Sequence, residues 1–314
     1  MYTIVHSKPW SILESNDSDH SLHLFDSRML KTTSYLRLLS LITVCVLGIA
    51  GLSGCNNSER DEDLETLTAR EVSLAYHIFD DAFREVHRFA MRDSLINDTG
   101  IDQWFNSCIE RATVSDTAAI FPLYLEINYG GKDNLCDDGF ERFGILEASF
   151  SGKYLNKGTV VEITFDEYYK DDFNVKGTSR ITNLGLNSNG YMTYLWEVEG
   201  GRITSTNTDY TWEGVHRKYW VAGRSNNSQG EVDDDVFLIK GIATGRNTRG
   251  NTFVNEITEA YTSDLSCQWF TSGRSGISVP NLEYRTLNYG ESADCDNKLI
   301  ERRNNTYFHL EIPY

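Results

Sequence analysis

The sequence predicts a mainly β protein, an antiparallel meander folded into a sandwich or curled into an open barrel, with one N-terminal amphipathic helix. Three observations carry that prediction. Apolar residues alternate with polar ones at a period of two: Leu123, Leu125 and Ile127 flank Tyr124 and Glu126, Val161, Ile163 and Phe165 flank Glu162 and Thr164, and Phe308, Leu310 and Ile312 flank His309 and Glu311. Turn signals recur at Asn189-Gly190, Gly200-Gly201, Gly230, Thr248-Arg249-Gly250 and Asn304-Asn305, too closely for crossover helices. Only one segment, Val72, Tyr76, Phe79, Phe83, Val86 and Ala90, repeats at helical spacing.

The elements follow in order. Residues 1–54 read as an N-terminal extension and signal peptide. Leu38 to Ala50 is an apolar run preceded by Lys31 and Arg37, too short to span a bilayer, which takes about 20 residues. The acids Glu14, Asp17, Asp19 and Asp26 ill suit a signal n-region and point to Met29 as the start of the exported precursor. Leu52-Ser53-Gly54-Cys55 resembles the bacterial lipobox, which implies diacylglycerol on the Cys55 thiol and cleavage before it. Two or three acyl chains would hold the chain on a membrane. Residues 55–67, opening with Asn56-Asn57-Ser58-Glu59-Arg60-Asp61-Glu62-Asp63, read as a solvated acidic tether. They also resemble a surface-export signal of Bacteroidota lipoproteins.

Residues 68–99 should form the helix, with Thr68-Ala69-Arg70-Glu71 as a capping box and Asn97-Asp98-Thr99-Gly100 as its stop. His77, Asp81 and Glu85 fall on one face at metal-ligand spacing, but no second His or Cys cluster completes a site. A solvated helix face is the reading, with no metal and no cofactor. Residues 100–314 form the antiparallel domain.

Setting aside Cys45 and Cys55 leaves Cys108, Cys136, Cys267 and Cys295, an even number suited to an oxidising compartment. Each pair is separated by 28 residues, and each interval contains Asn-Tyr-Gly, at Asn128-Tyr129-Gly130 and Asn288-Tyr289-Gly290. The repeat predicts an internal duplication whose copies close on themselves, Cys108–Cys136 and Cys267–Cys295, out of three possible connectivities. Zinc is the other use of four thiols, but no Cys-x-x-Cys is present.

Phe165-Asp166-Glu167-Tyr168-Tyr169, Val175-Lys176-Gly177-Thr178, Ile181-Thr182-Asn183, Gly241-Ile242-Ala243-Thr244-Gly245, Cys267-Gln268-Trp269-Phe270-Thr271-Ser272-Gly273, Leu287-Asn288-Tyr289-Gly290 and Cys295-Asp296-Asn297 resemble an uncharacterised family of β-rich Bacteroidota lipoproteins over about residues 120–312. The chain departs from it in the first half: Asn128-Tyr129-Gly130 stands for the family's Asp-Phe-Gly, and Arg142-Phe143-Gly144 for its Arg-Ser-Gly-Lys. The resemblance implies location and fold, and no catalytic residue.

The net charge of −17 opposes nucleic-acid binding. No nucleophile elbow, phosphate loop, His-Glu-x-x-His or dinucleotide fingerprint occurs. Asp166-Glu167, Asp171-Asp172 and Asp233-Asp234-Asp235 could serve calcium or a glycosidase but read as solvated loops. Trp196, Trp212, Trp220 and Trp269, with Tyr168 and Tyr169, read as core rather than as a sugar platform, and His216 and His309 as packed or surface histidines. Asp93-Ser94-Leu95 and Asp116-Thr117-Ala118 resemble a short O-glycosylation motif of Bacteroidota envelope proteins, which would modify Ser94 and Thr117. The expected function is a lipid-anchored cell-envelope protein, attached to the outer membrane at its periplasmic face or the cell surface, that binds or scaffolds a protein or glycan partner. The alternative is a secreted carboxylate-dependent glycan hydrolase.

Overall fold

A computed structural model of the chain describes residues 63–97, 108–115, 120–225, 231–290 and 294–313. Cys55, the signal segment, Thr117 and Gly230 lie outside them. The described residues hold one helix, α1 (Leu67–Arg92), and thirteen strands: β1 (Arg111–Val114), β2 (Leu123–Asn128), β3 (Arg142–Phe150), β4 (Val160–Lys170), β5 (Phe173–Leu186), β6 (Met192–Thr204), β7 (Asp209–Ala222), β8 (Val236–Arg246), β9 (Thr252–Asp264), β10 (Phe270–Ser278), β11 (Arg285–Asn288), β12 (Lys298–Arg303) and β13 (Thr306–Glu311). Every strand pairs antiparallel with its sequence neighbour, giving a single meander sheet whose outer strands β1 and β13 do not meet. Of the expected sandwich or open barrel, the chain makes the curled, unclosed sheet.

The predicted period of two is plainest in β7, which buries Tyr210, Trp212, Gly214, His216, Lys218 and Trp220 and exposes most of the residues between them. Trp196, Trp212, Trp220 and Tyr168 are core, and truncating a buried tryptophan typically costs about 3–5 kcal/mol. Asn189-Gly190, Thr248-Arg249-Gly250 and Asn304-Asn305 lie in the β5–β6, β8–β9 and β12–β13 hairpin turns. Gly200-Gly201, expected as a turn, instead lies inside β6, where the register against β7 shifts between Val198 and Gly201. The pair makes a bulge: Gly200 takes φ 60°, and a Cβ on Gly201 would stand 2.2 Å from the Trp212 carbonyl oxygen.

The helix departs most from expectation. It runs for 26 residues, about 39 Å at 1.5 Å per residue, and 22 of those are buried. The face of His77, Asp81 and Glu85, predicted to be solvated, is buried because the sheet wraps it. Partners come from strands far apart in the chain: Phe79 meets Phe165 and Trp212, Phe83 meets Tyr194 and Phe237, and the Tyr76 hydroxyl reaches His216 and Asn255 at 2.8 and 3.1 Å.

The ends of the helix are also set by tertiary and local contacts rather than by the predicted capping box. Thr68 N donates to the Glu65 carboxylate at 2.9 Å. The Thr68 hydroxyl accepts from Asn247 at 2.8 Å, and Glu71 accepts from the Thr248 amide at 3.1 Å. The helix stops at Arg92, short of Asn97, where Asp93 leaves helical geometry and its Oδ1 accepts from Leu95 N and Ile96 N, both at 2.9 Å. Part of the predicted tether is docked rather than solvated. The Asp63 carboxylate accepts from the buried Arg285 at 2.8 Å and Arg303 at 3.2 Å, Arg303 also donates to the Asp63 and Glu65 carbonyls, and Glu301 lies between the two guanidiniums at 3.1 and 2.6 Å.

Candidate functional site: a charged cleft between two cysteine loops

Both predicted disulfides are formed. Cys108–Cys136 and Cys267–Cys295 have Cα separations of 4.7 and 5.5 Å, within the range the linkage needs. Each closes a loop beside an Asn-Tyr-Gly turn in which the Asn Oδ1 accepts from the Gly amide, at 2.8 Å for Asn128 and 3.0 Å for Asn288. The intervening tyrosine reaches the buried helix in both cases. Tyr129 donates to Glu85 at 3.0 Å, and Tyr289 bonds Ser73 at 2.8 Å. The two cysteine loops also touch each other, with Gln268 Nε2 donating to the Asp138 carbonyl at 2.9 Å. Beneath that contact His77 stacks on Trp269, centroids 4.2 Å apart, with Phe140 at 5.1 Å.

Between these loops and the C-terminal half of α1 opens a cleft of about 580 Å³. One wall is an arginine ladder, Arg84, Arg88 and Arg92, at the i, i+4, i+8 spacing that puts side chains on one helix face. The others are Asp137 and Asp138 beside Cys136, Leu265, Ser266 and Gln268 beside Cys267, and Asp233 on the segment before β8. Arg88 spans the cleft, pairing with Glu85 at 3.1 Å and Asp233 at 3.3 Å and donating to the Leu265 carbonyl at 2.8 Å. Arg84 donates to the Asp264 and Leu265 carbonyls at 3.1 and 3.0 Å. A smaller cleft of about 430 Å³ lies by Arg70, Tyr289 and the β12–β13 hairpin.

Behind the larger cleft the helix carboxylates are bound by cations from the sheet. Arg142 contacts Asp81 at 2.8 Å and Asp138 at 2.6 Å, and Lys170 contacts Asp81 at 3.0 Å while lying 3.8 Å over the Phe140 ring. Burial works to raise the Asp81 carboxyl, but the charges of Arg142 and Lys170 overcome it and hold the group well below the usual carboxylate range. Asp138 is likewise lowered: burial opposes the Arg142 hydrogen bond and charge, and loses. Burial, aided by Arg142 and offset by Asp81, brings Lys170 down to about 8. Lys218, paired with Asp80, is also brought to about 8 by burial.

Three predicted positions therefore change meaning. His77, Asp81 and Glu85 share a helix face, but that face is buried, and each residue has its own partners: Trp269, Arg142 with Lys170, and Tyr129 with Arg88. Among the described residues no group of three His, Cys, Asp or Glu side chains is placed to hold a metal. Asp235, expected in a solvated acidic loop, is buried and accepts from Trp220 at 2.9 Å and His87 at 2.9 Å. Burial lowers the His87 imidazole, and the Asp235 hydrogen bond and charge oppose it. Nε2–H then donates to Asp235, leaving Nδ1 to accept from Tyr154 at 2.8 Å. Asp166 and Glu167 are exposed and His309 is at the surface, as expected, whereas Asp171 accepts from the Glu141 amide at 2.9 Å. Trp269 packs on His77 and Tyr169 stacks on Phe143 at 4.3 Å. Ser94 sits half-buried in the turn that ends α1, its carbonyl taken by Lys153 at 3.3 Å.

Sequence reasoning did not find the cleft. The spacing of Arg84, Arg88 and Arg92 was the signal, and alone it reads as an ordinary solvated stripe. Comparison of the chain with protein-family models, curated proteins and solved structures found no match.

Proposed function

We propose that this chain is a lipid-anchored cell-envelope protein, held on the outer membrane through Cys55 and presenting its β-body as a non-enzymatic binding or scaffolding module for a protein or glycan partner. The observation that carries the reading is the pairing of the interior charges with one another. Asp80 is bound to Lys218, Asp81 to Arg142 and Lys170, and Glu301 to Arg285 and Arg303. Groups so engaged in mutual ion pairs hold a shape. The cleft they support is framed by two crosslinked loops, a preorganised surface that loses little freedom when a partner docks.

Asp137 and Asp233 share the cleft and keep the glycan hydrolase as a second reading, since such an enzyme needs two carboxylates across a groove. Against it, carboxyls raised by burial, as a general acid requires, are Glu71, Asp171 and Glu301, and none of these lines the cleft. The deciding experiment is capture of envelope proteins and polysaccharides by the full chain, repeated with Asp137→Asn/Asp233→Asn and with Cys55→Ala. Cleft-dependent capture without glycan cleavage supports the module, and release of reducing ends that the double variant abolishes supports the hydrolase. Palmitate-analogue labelling that persists in Cys55→Ala removes the anchor assignment.

A further inference from the structure

Three large apolar side chains stand exposed where the described chain opens. Leu64 is 62% exposed, Tyr284 56% and Tyr307 58%. Hydrogen bonds gather them at one end of the body. The Glu283 amide, next to Tyr284, donates to the Asp63 carboxylate at 3.2 Å, and the Glu283 carboxylate accepts from Asn304 in the β12–β13 turn at 2.9 Å. Tyr307 lies on the strand that leaves this turn, with the Arg302 guanidinium 5.6 Å from its ring centre. Tyr284 lies across Gly276, where any side chain would strike its ring, so the sheet holds the ring in place while most of it stays exposed. Single exposed apolar residues need no explanation, whereas a cluster of them marks an interaction surface.

Charge and connectivity say what the surface meets. The chain as a whole carries −17, yet at this end Arg70, Arg249 and Arg302 are exposed, and the first two share a shallow pocket with Leu64. The carboxylates around them are engaged: Asp63 and Glu65 by Arg285, Glu283 by Asn304, and Asp209, which sits beside Thr248, by Arg202. Tyrosine rings and guanidiniums together suit the headgroup layer of a bilayer, and the tether's Glu59, Asp61 and Glu62 favour zwitterionic over anionic lipid. Eight residue steps separate Asp63 from Cys55, at most about 29 Å of extended chain, so a lipid on Cys55 keeps this end within that reach of the membrane. A tether makes the contact intramolecular, so a patch too small to bind a free protein suffices to orient an anchored one. We propose that Leu64, Tyr284 and Tyr307, with Arg302 among them, seat this end of the body in the zwitterionic headgroup layer of the membrane that carries it. Helix α1 starts here, at Leu67, and the arginine ladder of the cleft begins at Arg84, about 26 Å further along the helix axis. Seating this end turns the cleft away from the lipid and leaves it open to a partner. The inference rests on the reading of Cys55 as the anchor and adds the orientation that the anchor imposes.

The test uses the full chain as the cell exports it, reconstituted in dioleoylphosphatidylcholine vesicles that contain a lipid spin-labelled at its headgroup. A fluorophore is attached at Asn305→Cys, in the β12–β13 turn, or at Asn189→Cys, in the β5–β6 turn. Both positions are exposed, and Asn189 lies at the opposite end of β6 from the β6–β7 turn, whose Asp209 amide meets Thr248. Strong quenching at position 305 with little at position 189 supports the proposal. Leu64→Ser/Tyr284→Ser/Tyr307→Ser should lose the quenching at position 305 with lipid still on Cys55, whereas Leu186→Ser/Tyr191→Ser, which removes two other exposed side chains in the β5–β6 hairpin, should keep it. Should the triple variant fail to fold, the contrast between the two labelled positions decides. Equal quenching at both, stronger quenching at position 189, or quenching that the folded triple variant retains overturns the orientation while lipid on Cys55 leaves the anchor standing. A Cys55 without lipid overturns both.

Discussion

The two cysteine-closed segments use the same parts to meet one helix at two chemically different places. In the first, the Asn128-Tyr129-Gly130 turn sends Tyr129 to the carboxylate of Glu85, in the half of α1 that carries Asp81, Arg84 and Arg88. In the second, Asn288-Tyr289-Gly290 sends Tyr289 to the hydroxyl of Ser73, in the half that also bonds neutral groups: Thr68 with Asn247, and Tyr76 with His216 and Asn255. A nearly repeated sequence thus wraps an element that has no repeat of its own. The charged half faces the larger cleft and the other half the smaller one by Arg70 and Tyr289, so the helix decides what each copy of the motif does. The bridges differ too: both sulfurs of Cys108–Cys136 belong to buried residues, whereas Cys295 is exposed.

The largest test of this asymmetry is Arg142→Leu, which strands Asp138 beside the cleft and leaves Asp81 with Lys170 alone. Breaking a buried pair typically costs about 3–5 kcal/mol, and chemical denaturation should show a loss of that size, larger than for any single substitution at Thr68 or Asn247. Next come the bridges. Loop-closure entropy for a bridge of this span is roughly 3.6 kcal/mol, so replacing either cysteine pair by alanine should lower the unfolding temperature by many degrees. Mild reduction, followed by alkylation and peptide mapping, should open Cys267–Cys295 first because its thiol exchange partner is accessible. Simultaneous opening would erase the difference between the two ends.

The tyrosines sharpen the comparison directly. Tyr129→Phe removes a bond to a charged acceptor, worth about 1.5–3 kcal/mol, and Tyr289→Phe one to a neutral hydroxyl, about 0.5–1.5 kcal/mol. Equal losses would mean that the two halves of the helix are alike in energy. The smallest effect per group is pH-dependent. Burial lowers His77, with Lys170 assisting, lowers His87, and brings His216 to about 3. Each is neutral in the fold while its unfolded counterpart takes up a proton below about pH 6.5. The unfolded state then binds more protons, so stability is level above that pH and falls below it, down to each folded value, by about 1.4 kcal/mol per unit for each histidine. Denaturation midpoints measured from pH 7 to 5 should show this fall, and His87→Gln should make it shallower.

Much of the β-body was legible residue by residue. Alternation in Val161–Phe165 and Phe308–Ile312 marks β4 and β13, Asn189-Gly190 marks the β5–β6 hairpin, and the equal cysteine spacings mark both bridges, because strand faces, tight turns and short loops are decided by neighbours in the chain. The helix was legible as a helix and illegible in its surroundings. Its polar residues His77, Asp81 and Glu85 read as a wet face, since a periodicity reports which residues share a side and not what lies opposite. Only the accumulated curl of thirteen strands brings Arg142, Lys170 and Lys218 onto that side, from positions 61 to 138 residues away along the chain. The same curl placed Gly200-Gly201 in a bulge rather than a turn and drew the two cysteine loops together over the arginine ladder. What the sequence by itself determined is therefore the local geometry of each strand, turn and bridge. What only the tertiary structure decided is the fate of the charges, because Coulomb and hydrogen-bond partners are chosen by distance in space after the sheet has curled around the helix.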